Sequence, residues 1–427
     1  MKRILSVIII GLLCLSMFLV FAPNVKAQQS AVDWWPTFRH DSTLSGSSTS
    51  ATPLTNQLLW NYTTGNSIAY SSPTIINGVV YVGSDDHYVY AFNAATGSYI
   101  WSFKTGGSVD SSPAVVNGVV YIGSQDHKVY ALNAATGVKE WSYSTGDQVE
   151  SSPAVVNGVV YVGSDDNKVY ALNAATGAKE WSYSTGGSVV SSPAVVNGVV
   201  YIGSEDDNVY ALNAATGSKI WSYATGDSVD SSPAVVNGIV YIGSDDDNVY
   251  ALNAGTGAFV WSFGTGDMVD SCPAVANGVV YIGSEDDNVY ALNAASGSKL
   301  WSYPTGDQVE SSPAVANGVL YVGSDDSNVY ALNATTGATI WTYGTGSLVD
   351  SSPAVANGVV YVGSEDYNLY AFGAITVAQP SPPVPSPTIP ELPNQALSLS
   401  LVATMACAAF AAIASKKKTI KRKSPQG

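Results

Sequence analysis

The sequence predicts an all-β fold, an eight-bladed propeller of four-stranded antiparallel blades closed by an N-terminal strand, and three observations carry this expectation. A 40-residue period runs through the chain, an Asn-Gly pair recurs between β-branched runs in every period, and a surplus strand at the start answers a missing one at the end. Trp101, Trp141, Trp181, Trp221, Trp261, Trp301 and Trp341 are spaced by 40, and Trp60 precedes them by 41. Ser-Ser-Pro recurs eight times, with one change to Ser-Cys-Pro at Cys272. Periods of this length belong to propellers and solenoids.

One unit shows why. Pro153 to Val156 meets Asn157-Gly158, Val159 to Ser164 meets Asp165-Asp166-Asn167, and Val169 to Asn173 meets Thr176-Gly177. Asn-Gly between β-branched runs signals a hairpin because both central residues of a type I′ turn need positive φ. With the strand around Trp181 each unit has four strands, the content of a propeller blade. The last unit ends at Gly373 without a tryptophan strand, and the surplus strand at residues 57–64 is expected to pair onto it and close the ring. An open solenoid would leave unpaired edges at both ends.

The flanks read differently. Lys2 and Arg3 followed by an apolar run and Val25-Lys26-Ala27 predict a signal peptide over residues 1–27, then a lead-in over 28–56 and the propeller over 57–374. Seven prolines between Pro380 and Pro393 predict a stiff stalk over 375–394. The uncharged run from Ala396 to Ala414, followed by two basic triplets, predicts one transmembrane helix over 395–415 and a basic cytoplasmic tail over 416–427. The expected location is the cell membrane, single-pass, with the propeller extracellular. Ile389-Pro390-Glu391-Leu392-Pro393 resembles the Pro-Glu tripartite tails of archaeal surface proteins, and Asn61 and Asn333 fit the N-glycosylation sequon.

Ala131-Leu132-Asn133-Ala134-Ala135-Thr136-Gly137 with Trp141 resembles the tryptophan-docking motif of the pyrroloquinoline quinone (PQQ) repeat family, over residues 57–374. In that family an outer-strand tryptophan packs between blades against an Ala-x-Asp-x-x-x-Gly turn. The resemblance gives these roles to Ala131, Asn133, Gly137 and Trp141 and makes the eight tryptophans docking residues. Asn stands for the usual Asp in seven units and Gly373 in the last. The lead-in from Trp34 to Asp41 is similar to a Trp-Pro-x-Phe-Arg segment that precedes many secreted propellers.

Family enzymes of the quinoprotein type hold their cofactor with calcium, a catalytic Asp, an Arg or Lys and often a vicinal disulfide. Between Trp60 and Ala374 this chain has no Arg and the single Cys272, so an enzyme is not expected, no cofactor is required and PQQ is not anticipated. Near-identical units also repeat the same residues, whereas an active site needs unlike residues converging in one pocket. His87 and His127 stand at equivalent loop positions and read as turn residues, and Cys272 as a small buried side chain.

The acids stand out. Residues 60–374 hold 30 acids and 7 lysines, and the whole chain carries −16, which excludes a basic nucleic-acid-binding stripe. Strand alternation puts the Asp-rich hairpin loops and the blade-to-blade crossovers on one face. The position before Ser-Ser-Pro reads Tyr70, Asp110, Glu150, Val190, Asp230, Asp270, Glu310 and Asp350. These six acids are expected to rim the central channel and form the candidate metal site, with Ca2+ as the candidate ion. The same charge also serves solubility. The expected function is a non-enzymatic cell-surface scaffold binding a protein, glycan or cation through this face. The alternatives are an envelope protein-assembly factor of the PQQ-repeat lipoprotein type and a degenerate quinoprotein dehydrogenase.

Overall fold

The computed structural model describes residues 33–374. The expected signal peptide, stalk, transmembrane helix and tail lie outside the described residues. Every described element is a strand, and no helix among the described residues is long and apolar enough to cross a membrane.

Eight sheets form as the period predicts. In the third blade Ala154–Val156, Val159–Ser164, Lys168–Asn173 and Lys179–Ser184 pair antiparallel in chain order. Asn157 and Gly158 take φ of 52° and 80°, as a type I′ turn demands. The core lies between blades: Tyr161 and Trp181 of one blade pack with Val200, Ile202 and Leu212 of the next. Leu58–Thr63 pairs antiparallel with Asn368–Gly373, so the N-terminal strand completes the eighth blade.

Tryptophan docking repeats around the ring. The Trp101 indole N–H donates to the Ala134 carbonyl at 2.9 Å, and the Tyr81 hydroxyl donates to the same oxygen at 3.1 Å. Gly137 lies under that indole with φ of 70°, and a Cβ there would stand 2.6 Å from the ring, so only glycine fits. Asn133 Oδ1 accepts the Ala135 and Thr136 N–H groups at 3.1 and 3.2 Å, so Asn supplies the turn-fixing acceptor.

The Ser-Ser-Pro repeat explains itself as a belt around the axis. Ser111 Oγ donates to the Ser151 carbonyl at 3.1 Å, and the Ser112 N–H donates to Ser152 Oγ at 2.9 Å. The pattern passes from blade to blade and closes where Ser351 Oγ reaches the Ser71 carbonyl at 3.0 Å. Cys272 takes a place in it, its buried sulfur accepting the Ser232 N–H at 3.2 Å.

The lead-in is part of this ring. Each innermost strand is three residues long, and its central N–H faces the channel. Trp35 exchanges both backbone bonds with Ile75, and the carbonyls of Pro36, Ser42, Thr43, Ser45 and Gly46 accept from Val115, Val195, Val235, Val275 and Val315. Ser47–Ser48 then runs parallel to Ala314–Ala316. A non-repeating strap thus satisfies backbone donors that the repeat leaves open.

Candidate functional site

The six predicted rim acids do come together. With Tyr70 and Val190 they enclose a funnel of about 400 Å³ on the axis, walled below by the belt serines and floored by Phe38 of the strap. The repeat puts them there because each immediately precedes its belt serine, at the point where the crossover turns into the innermost strand.

The hairpin-loop acids, which look alike in sequence, separate into two kinds. The second acid of each loop is a structural pin. Asp166 Oδ2 accepts the Gly146 N–H at 2.8 Å and the Tyr170 hydroxyl at 2.5 Å, and the equivalent bonds from Gly65 and Tyr90 reach Asp86. The first position is Asp85, Gln125, Asp165, Glu205, Asp245, Glu285, Asp325 and Glu365; Glu205 lines the funnel itself, and the others form a second tier beside the rim acids. Gln125 ties the tiers, donating to Asp110 at 2.7 Å and Glu150 at 2.9 Å. Asp85 lies beside Asp110, Asp245 beside Asp270, and Asp325 beside Asp350, so the two tiers bring like carboxyls together.

No Lys, Arg or His pairs with these two tiers among the described residues. Asp350 is 7% exposed, and its Oδ1, like that of Asp110, Asp230 and Asp270, is buried without a donor. Burial first, and neighbouring carboxylates second, push Asp230 and Glu310 up to about 7. The same two causes lift Asp165 to about 7 and Asp245 to about 6. Asp110 and Asp350, beside Asp85 and Asp325, stand well above the carboxylate range for the same reasons, and Glu150 is also raised. Tyr70, 55% exposed, leans toward Glu310 and Asp350, whose charge adds to burial in raising its hydroxyl.

Among the described residues no group of three or more His, Cys, Asp or Glu is arranged to hold a metal ion. No Lys or Arg lines the funnel, so the anionic PQQ would meet seven acidic side chains and no positive charge, and the lining does not fit that cofactor. His87 and His127 take φ of 72° and 66° at the third loop position, where they serve as turn residues. Asn333 uses its side-chain oxygen in a docking turn. Sequence reasoning noted the lead-in that holds Phe38 only as a resemblance and missed its role as a strap across the inner strands and a floor to the funnel.

No curated protein sequence matches this chain. Among solved structures it is similar to BamB from Moraxella catarrhalis, with a TM-score of 0.66 and 20% identity over 74% of this chain and 99% of that one. It is also similar to a europium-containing methanol dehydrogenase, with a TM-score of 0.69 and 15% identity over 80% and 98%. The computationally designed Ika8 protein gives 0.67 and 17% over 74% and 100%. At these identities the likeness establishes the propeller alone. The family model described as "Outer membrane protein assembly factor BamB" matches residues 46–152, 144–230, 209–312 and 304–377. Those four overlapping matches cover the strap's end, every blade and the closing strand, and the chain belongs to this PQQ-repeat, BamB-like family.

Proposed function

We propose that this chain is a non-enzymatic scaffold, displayed outside the cell from a membrane anchor, that captures a partner protein in its acidic mouth. The observation that carries the reading is the two-tiered carboxylate funnel, which has no basic residue of its own chain in its lining. Clustered like charges in a concave low-dielectric site focus field and draw in oppositely charged groups. The non-enzymatic part is supported by the lining, which offers neither a nucleophile–base pair nor a basic group for a quinone. The anchor is supported by the uncharged run before the lysine-rich end.

A second reading, protein assembly in the envelope, has the family match in its favour, since that family is named for an outer membrane protein assembly factor. Both readings place a protein at the propeller. Photo-crosslinking on intact cells tests the proposal, with the crosslinker at Asp147 beside the mouth or at Ser222 on the outer wall. A partner captured from Asp147 and not from Ser222 is expected, and the reverse pattern overturns the assignment of the mouth. Membrane-impermeant amine labelling is expected to mark Lys139 and Lys179 and spare Lys416 to Lys418; labelling of the tail with protection of the propeller overturns the orientation.

A further inference from the structure

We infer that the mouth is a socket for an organic polycation, the ammonium or guanidinium groups of a basic peptide segment or of a polyamine, rather than for a metal ion. This rests on the mouth being the binding site and names what enters it.

Three features argue for the chemistry. The first is an unmet need: Asp350 is nine-tenths buried, lines the funnel and has a carboxylate oxygen with no donor, and Asp110, Asp230 and Asp270 each have an oxygen in the same state. A buried carboxylate oxygen without a donor is costly, and a bound ammonium or guanidinium group supplies charge and hydrogen together. The second is geometry. Seven carboxylates, from seven of the eight blades, are spread around the rim of a space of about 400 Å³, and among the described residues nowhere do three converge as a metal site requires. Calcium demands six to eight oxygens at about 2.3–2.6 Å, whereas several N–H groups on flexible stems reach separated acceptors one by one.

The third is the aromatic content. Phe38 floors the funnel and Tyr70 overhangs it from the one inner position filled by an aromatic residue. Aromatic faces attract ammonium and guanidinium groups and accept the methylene stems that carry them. Val190, on another blade, is the second break in the acidic ring and adds an apolar contact. Together they give an eightfold frame a preferred orientation for an elongated cation.

The test is calorimetric titration of the purified full-length chain at pH 8, in two buffers of unlike ionisation enthalpy, with spermine, a six-residue arginine peptide, calcium and magnesium. Saturable binding of spermine or the peptide, with protons released, is expected, and calcium and magnesium are expected to give only weak, mutually similar heats. Asp350→Asn and Glu310→Gln are each expected to weaken binding at least tenfold, while Asp147→Asn and Asp267→Asn, outside the funnel, change it less than twofold. Spermine binding as tightly as the peptide identifies a free polyamine as the source; peptide binding alone identifies a protein segment. Equal losses in all four variants, tighter binding of calcium than of either organic cation, or no binding overturns the inference. Crosslinking from Asp147 that persists with no cation bound leaves the mouth as a protein site and removes only its cationic specificity.

Discussion

Trp341 donates its indole N–H to the carbonyl of Pro53 at 3.3 Å, and the Tyr321 hydroxyl shares that oxygen at 2.9 Å. In the seven other junctions the acceptor is an alanine of the next blade's turn, such as Ala134 or Ala214. The eighth blade has no such turn, because its outer strand is supplied from the N-terminus, and the strap provides the acceptor instead.

Truncating that indole tests the seam. Trp341→Ala is expected to cost about 3–5 kcal/mol, as removal of a large buried aromatic does. Trp181→Ala removes the equivalent contact inside the ring and is expected to cost about as much. Chemical denaturation of both variants checks the equivalence; a much smaller loss for Trp341 would show that Pro53 does not replace the docking turn.

The docking glycine is a stricter requirement. Gly137→Ala places a methyl against Trp101 at a φ of 70° and is expected to cost more than about 1 kcal/mol. Gly158→Ala, also at positive φ but with nothing within 4 Å, pays only the backbone strain and is expected to cost less. A reversed order in denaturation midpoints would remove the packing argument.

The belt predicts a polar, not a volume, effect. Ser191 Oγ donates to the Ser231 carbonyl at 2.9 Å and accepts the Gly203 N–H at 3.0 Å. Ser191→Ala leaves both buried groups unpaired and is expected to cost about 1–3 kcal/mol. Cys272→Ser restores the oxygen of the other seven units and is expected to be neutral or stabilising by less than about 1 kcal/mol. Native Cys272 is expected to resist thiol reagents until the protein is unfolded.

Stability should fall as the pH rises from about 4 to about 8. Asp230 and Glu310 are raised in the folded state to about 7, so between their unfolded values near 4 and that value the folded protein holds more protons than the unfolded one. Stability from these groups is full below the unfolded pKa and is lost as pH passes the folded one. Asp126 and Asp166 are shifted the other way: despite burial, which raises them, hydrogen bonds led by those from Tyr130 and Tyr170 hold them below their ordinary value. Their stabilisation is lost in acid, and the optimum is expected near pH 4–5. Thermal unfolding across pH 4–9 checks the slope, and Asp350→Asn is expected to raise the melting temperature at pH 8 and flatten it.

Much of this was legible in the sequence because each unit writes its turns in residues with one conformational use. Asn157-Gly158 fixes a hairpin, Gly137 fixes a docking surface, and the unequal ends fix the closure. The six rim acids were found by register alone, since Asp350 and its equivalents precede the same serine. Burial separated what composition could not: Asp165 and Asp166 are identical neighbours, yet one sits among the acids Glu150 and Glu205 and the other pins Gly146. The strap was illegible because backbone carbonyls do its work, and Pro36, Ser42 and Gly46 carry no side-chain signature of a partner.

The serine belt makes the mouth a gauge. Its bonds join the same atoms at intervals of 40 residues and have no free end, so the bore cannot widen by sliding one blade while the others stay. The separation of rim carboxylates is then set by an integer, the number of units in the circle. A mouth of this construction changes calibre in whole blades, and within one blade number only the identity of the residue before each serine is left to tune what it admits.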